Sequence, residues 1–174
     1  MEQRVIGPPG CGKTTWLSRQ VKRAVDEGKD VLVASLTRAA AAEAAGRNLP
    51  IPPRNVGTLH SHCYQSLGRP SLAVDKKHVE DWNTRFPEWA LSYSDDRIDG
   101  DNLEESGQSP GDKLMATYQV LRARMATVYP IDVDRMASAW TSWKAEAGLM
   151  DFTDLIEQSL KTIPTAPGNP SVLF

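Results

Sequence analysis

Apolar residues along the first seventy positions switch between two rhythms. Leu17, Val21 and Val25 recur at helical spacing, which predicts a helix from about Lys13 to Glu27, stopped by Gly28. "DVLVASL" (Asp30 to Leu36) is instead a continuous apolar and β-branched run, the pattern of a strand buried on both faces of a parallel sheet. "TRAAAAEAAGR" (Thr37 to Arg47) is alanine-rich and favours helix, with Gly46 near its end. "LPIPP" breaks the pattern, and "NVGTL" predicts a short strand that feeds "HSHCYQSLG". A very short strand, "RVI" (Arg4 to Ile6), is expected ahead of all of these. Strand and helix in alternation imply an α/β fold, a parallel sheet with helices on its faces.

After Pro70 the rhythm is helical. "SLAVDKKHVEDWNTRF" reads as a loop and then a helix. A second helix lies in "KLMATYQVLRARMATVY", with Leu114, Tyr118, Leu121 and Met125 on one face. "DVDRMASAWTSWKAEAG" gives a third, ending at Gly148, and "DFTDLIEQSLKTI" a fourth, with Asp151 placed as its N-cap. "PTAPGNP" is a linker and "SVLF" begins a strand. Trp82, Trp89, Trp140 and Trp143 sit in helical settings, which favour core packing over base stacking. The expected organisation is a core over 1–70, a helical insertion over 71–148, and a return to the core over 149–174.

Charge changes this picture in one respect. The formal net charge of -2 divides into 10 Lys+Arg against 5 Asp+Glu in residues 1–70, and 10 against 17 in the rest. A positive first part suits an anionic ligand, although one acidic stretch explains much of the asymmetry. That stretch, Asp95 to Asp112, holds seven acidic residues with Gly and Pro, and reads as an exposed, mobile loop. No apolar run nears the roughly 18 residues that span a bilayer, and the N-terminus has no signal-peptide layout, so a cytoplasmic protein without membrane contact is expected. Cys11 and Cys63 lack CxxC spacing and read as two reduced thiols. His62 and His78 read as ordinary surface or satisfied histidines.

The chemistry is concentrated at the start. Gly7-Pro8-Pro9-Gly10-Cys11-Gly12-Lys13-Thr14 fits GxxxxGK[ST] at every fixed position, with Thr15 following. Glycine is needed where backbone N–H groups curl around phosphates, and the next helix sets its positive end under the same anion. Lys13 and Thr14 are the candidate catalytic groups: the ammonium for the β- and γ-phosphates, the hydroxyl for Mg²⁺. ATP with Mg²⁺ is the expected ligand. No NKxD segment, the guanine reader of GTPases, is present. A small phosphoryl-transfer kinase needs its own acceptor site and lid arginines, which only the insertion could hold.

Residues beyond the loop narrow the choice. "SLTRAAAAEAAGR" (Ser35 to Arg47) resembles motif Ia of the UvrD/Rep-like helicases of superfamily 1, and "VGTLHSHCYQSL" (Val56 to Leu67) resembles motif Ib. "MDFTDLIEQSL" resembles the helix that precedes the Walker B strand in that family, and the order and spacing agree, including an insertion like subdomain 1B. The resemblance implies a RecA-like P-loop core of a phage or bacterial ATP-dependent DNA helicase. It implies single-stranded DNA contacts at Thr37 and Arg38 after the second strand, and at Thr58 and His60 after the third. Capping of the following helices is the other use the same geometry makes of Thr37 and Thr58. Asp151 and Asp154 are implied to support the fold and not to act in catalysis.

Three departures accompany the resemblance. Gln3 lies too close to Gly7 to serve as the family's adenine-reading glutamine, and Leu36 replaces an aromatic residue. The Asp-Glu pair of Walker B belongs directly after a strand like "SVLF", and Phe174 is the last residue of the sequence. The expectation is an incomplete sheet, negligible hydrolysis by this chain alone, and a second chain carrying Walker B and the later motifs. The competing reading is a non-enzymatic module that binds nucleotide or single-stranded DNA.

Overall fold

A computed structural model describes residues 4–93 and 109–174. The chain divides into two compact units, one of residues up to Ser66 with Ile163–Phe174, the other Leu67–Thr162.

The first unit is α/β. Helix α1 (Lys13–Asp26) is followed by strand β1 (Val31–Ser35), α2 (Arg38–Ala45), β2 (Val56–Thr58) and α3 (Leu59–Ser66). Strand β3 (Val172–Leu173) joins from the far end of the chain, and the parallel sheet has the order β2-β1-β3. Registers are set by Ser35 opposite Thr58 and by Val31 opposite Val172. Val31 and Val33 pack with Val21 and Ala24 of α1 and Ala44 of α2. Leu32, of opposite parity, is buried as well, so both faces of β1 are covered, as its unbroken apolar run predicts.

The expected strand Arg4–Ile6 does not form. Among the described residues the sheet has three strands, the segment pairs with none of them, and Ile6 is 92% exposed. A strand is held by its ladder, and three apolar residues alone do not make one.

The second unit is helical: α4 (Lys76–Arg85), α5 (Pro110–Ala123), α6 (Ile131–Ala147) and α7 (Phe152–Thr162). Its core is aromatic. Trp82, Trp140 and Trp143 are fully buried, with Trp89 and Phe86 packed against them. Each buried indole N–H finds an acceptor: the Trp89 carbonyl, the Asp151 carboxylate and the Asp81 carboxylate respectively. A parallel bridge between Leu72 and Met150 ties the beginning of this unit to its last helix. Helix α7 thus belongs with the helical unit, where the sequence placed residues 149–174 with the core.

Two local expectations need correction. Helix α5 starts at Pro110, before Lys113, because Ser109 and Asp112 form a reciprocal capping box; Asp112 also accepts from Ser92. The remainder of the predicted acidic loop, 95–108, lies outside the described residues. Met125 does not continue the buried face: the helix ends at Ala123, and Met125 has positive φ and is 86% exposed.

Asp151 caps α7 as predicted, through Asp154 N–H at 2.9 Å, and Asp154 returns the bond to Asp151 N–H at 2.8 Å. The same two carboxylates hold Arg122 of α5 and Lys144 of α6. Arg122 reaches both oxygens of Asp151 at 3.1 Å, and Lys144 lies 2.6 Å from Asp151. Burial alone would raise the Asp151 carboxyl. The Lys144 charge, with hydrogen bonds from Lys144 and Trp140, outweighs it and holds the group at about 2. These acids therefore tie three helices together, in line with a supporting role.

Candidate functional site

The glycine-rich loop is built by backbone conformations that most residues avoid. Gly10 and Gly12 have φ of 77° and 84°, and Gly12 is the N-cap of α1. Gly7 matters for space, since a Cβ there would lie 2.5 Å from the Cys11 sulfur. No side chain caps α1, and its first intrahelical bond is Trp16 N–H to the Gly12 carbonyl. The amides of Lys13, Thr14 and Thr15 are therefore the unspent donors of a 14-residue helix, which is how a helix terminus receives an anion. Pro8 and Pro9 stiffen the exposed arm of the loop, and the Cys11 thiol is exposed and free. Lys13 turns its ammonium back over the loop, donating to the Gly7 carbonyl at 2.6 Å and the Pro8 carbonyl at 2.7 Å.

Arg47 stands beside this loop with Glu43 as its partner, neither singled out by the alanine-rich helical pattern around them. Arg47, just past the end of α2, donates to the Thr15 hydroxyl at 3.3 Å and pairs with Glu43 at 2.9 Å. The Arg47 hydrogen bond holds the Glu43 carboxyl below the usual carboxylate range. The only sequence signal for them is an acid and a base four apart on a predicted helix. Next to them, Thr15, Ser18, Arg19, Lys22, Arg47 and Asn48 help to line a cleft of about 380 Å³. A hydroxyl oxygen suits a hard cation such as Mg²⁺, so Thr14 fits the metal that the loop implies. Among the described residues no cluster of three His, Cys, Asp or Glu side chains could hold a metal by itself.

The proposed DNA contacts converge on one sheet edge. Because β1 and β2 run parallel with Ser35 opposite Thr58, the N-termini of α2 and α3 emerge side by side at the carboxyl ends of the strands. That brings Thr37 and Arg38 next to Thr58 and His60. The Thr37 hydroxyl accepts from Ala40 N–H at 3.2 Å and the Thr58 hydroxyl from Ser61 N–H at 3.1 Å, so both threonines do cap helices. Capping uses an oxygen lone pair and leaves each O–H proton able to donate elsewhere. Burial keeps His60 below its ordinary value, hence neutral at pH 7. Leu36 is 84% exposed at this edge. His62 is a satisfied core histidine, its Nε2 at 3.1 Å from the Val33 carbonyl.

A family model described as the UvrD/REP helicase N-terminal domain matches residues 2–171. The chain belongs to this family. No curated protein and no solved structure matches it. As a UvrD/REP helicase N-terminal domain, the chain is a member of a family of ATP-dependent DNA helicases, whose members bind single-stranded DNA and use ATP with Mg²⁺. Its α/β unit, with a three-stranded parallel sheet among the described residues, is consistent with the P-loop NTPase-like fold of such a domain. Among the described residues no helix is long and apolar enough to cross a membrane.

Proposed function

We propose that this chain binds Mg·ATP at Gly7–Thr15 and single-stranded DNA along the edge formed by Thr37, Arg38, Thr58 and His60, as the N-terminal part of an ATP-dependent DNA helicase. What carries the reading is the uncapped N-terminus of α1 with Lys13 folded over the loop beside it. Lys13 exchanges the Gly7 and Pro8 carbonyls for phosphate oxygens, a neutral pairing for a charged one. The amides of Lys13, Thr14 and Thr15 close on the same phosphates. Mg²⁺, when bound, neutralises phosphate charge.

DNA is held through its backbone. Threonine O–H donors, the cation of Arg38 and the neutral His60 imidazole contact phosphate and sugar without reading bases, which suits a strand that must slide. Hydrolysis by this chain alone is expected to be negligible. The loop offers an ammonium, two hydroxyls and a carboxylate already held by Arg47, and no unpaired base to activate water. A second chain, or another segment, would supply the groups that fire the reaction.

Titration of a fluorescent ATP analogue with Mg²⁺ tests the nucleotide half. Binding should be saturable and should fall at least about tenfold in Lys13→Ala, because a charge-assisted contact is removed. Equal affinity in the two proteins, or ordinary helicase-like turnover by the chain alone, would overturn the reading.

A further inference from the structure

Helix α1 carries four cations, and two of them are satisfied within the fold. Lys13 donates to the loop carbonyls, and Arg23 pairs with Glu27, which also takes Lys29. Arg19 and Lys22 have no ion-pair partner among the described residues. They stand three apart and exposed on one face of the helix, where like charges repel. Arg47 joins them from beyond the end of α2, and the three cations line the cleft of about 380 Å³. No acidic residue lines it, and Glu43 meets it only through its pair with Arg47 at 2.9 Å. Neutral donors stand among these charges. The Thr15 hydroxyl accepts from Arg47 and keeps its own proton to give, and the Asn48 carboxamide has no hydrogen-bond partner among the described residues. Leu49 and Pro50 add an apolar stretch of wall.

We infer that the cleft between α1 and the exit of α2 is a second binding segment for single-stranded DNA, gripping the phosphodiester backbone through Arg19, Lys22 and Arg47. Guanidinium, ammonium, hydroxyl and carboxamide donors are the groups that proteins turn toward the phosphates and sugars of nucleic acid. An apolar wall suits a deoxyribose or the face of a base, and it reads no sequence. A lone anion would leave most of a cleft this size empty, since clefts of this volume enclose far larger ligands. The cleft lies at the opposite end of α2 from Thr37 and Arg38, about 12 Å away along an eight-residue helix. A strand stacked at about 3.4 Å per nucleotide covers that distance in roughly four nucleotides. The inference rests on the reading of the chain as a single-stranded DNA binder, and it gives that ligand a second foothold apart from the sheet edge.

Binding of a fluorescent oligothymidine is measured across a salt series for the wild type, Arg19→Gln/Lys22→Gln and Arg23→Gln/Lys29→Gln. The last removes equal charge from the same unit outside the cleft. Glutamine favours helix at both exposed cleft positions, so thermal melts should not move. The cleft variant should lose about tenfold in affinity at low salt. Its slope of log affinity against log salt should fall by about 1.4, two phosphate contacts at about 0.7 each. The control variant should keep the wild-type slope, and affinity for an Mg·ATP analogue should stay the same in the cleft variant. Unchanged affinity and slope in the cleft variant, or equal losses in both variants, would overturn the inference. So would a loss of nucleotide affinity with DNA affinity intact, which would give the cleft to the nucleotide instead. Thr37→Asp, measured alongside, keeps the two DNA segments apart. If it weakens binding and the cleft variant does not, the sheet edge stands and the cleft falls; a wild type that binds no oligothymidine refutes both.

Discussion

Lys144→Met is the sharpest perturbation of the helical unit. Two cations, Arg122 and Lys144, face three carboxylates, Asp151, Asp154 and Glu157. The Lys144 and Asp151 side chains are only 5% and 4% exposed, so water cannot replace the lost ammonium. Removing one member of a buried pair costs about 3–5 kcal/mol. The low end applies here, because Arg122 still grips both oxygens of Asp151 and Asp154 is partly solvated. Four of the five tryptophans lie in this unit, so their emission during urea titration reports its unfolding. With an m-value of about 1.5 kcal/mol/M, a loss of about 3 kcal/mol lowers the midpoint by roughly 2 M.

Acid gives an independent check on the same cluster. The folded Asp151 carboxyl sits at about 2, below its ordinary value of 3.8, so its stabilisation is complete above 3.8 and is lost as pH falls through about 2. That shift is worth about 2 kcal/mol at neutral pH. In Lys144→Met the carboxyl rises, and this acid limb should flatten or reverse. The double variant Lys144→Met/Asp151→Asn should cost less than the sum of the single changes. A loss under about 1 kcal/mol, set against the 3–5 expected for a broken buried pair, with an unaltered acid limb would refute the account of this cluster.

The sheet edge offers two more tests. Thr37→Asp keeps an acceptor for Ala40 N–H but sets a carboxylate where phosphate is proposed to lie. Thermal stability should hold, while single-stranded DNA affinity falls about tenfold at low salt through like-charge repulsion; unchanged affinity removes Thr37 from the contact surface. In Gly57→Ala the new Cβ would meet the Ser61 hydroxyl oxygen at 2.5 Å, and overpacking of this kind costs about 1–3 kcal/mol. Circular dichroism melts should show a lower midpoint, largely restored by adding Ser61→Ala; no shift would mean that the Ser61 hydroxyl moves aside freely.

The sequence made the elements legible where one local signal governed them. The apolar stripe of α1, the unbroken run of β1 and the acid before α7 each carry their physics within a few residues. It failed where the decisive partner is remote. Whether Arg4–Ile6 is a strand depends on a neighbour to pair with, which three residues cannot announce. The start of α5 is hidden for a nearer reason: Ser109 and Asp112 sit within an acidic run, which masks their capping-box spacing. At the site, the glycines and Lys13 were plain because phosphate binding restricts residue type tightly. Arg47 was not, since an exposed base paired with an acid on a helix is ordinary until the fold sets it against Thr15.

The bridge between Leu72 and Met150 bears on the order in which the chain folds. The α/β unit is discontinuous: Val31 finds its partner Val172 only across the whole helical unit. That unit is one contiguous stretch and can consolidate from nearby contacts before the sheet is complete. Once Leu72 and Met150 meet, the spans from Val31 to Leu72 and from Met150 through α7 to Val172 start from neighbouring points, and together they are less than half of the former separation. Each halving is worth only roughly 0.6 kcal/mol, so the gain is small in equilibrium terms. In kinetic terms the shorter sequence separations favour helices first, then β3 onto β1. The phosphate-binding segment, synthesised ahead of the helices, acquires a finished sheet last.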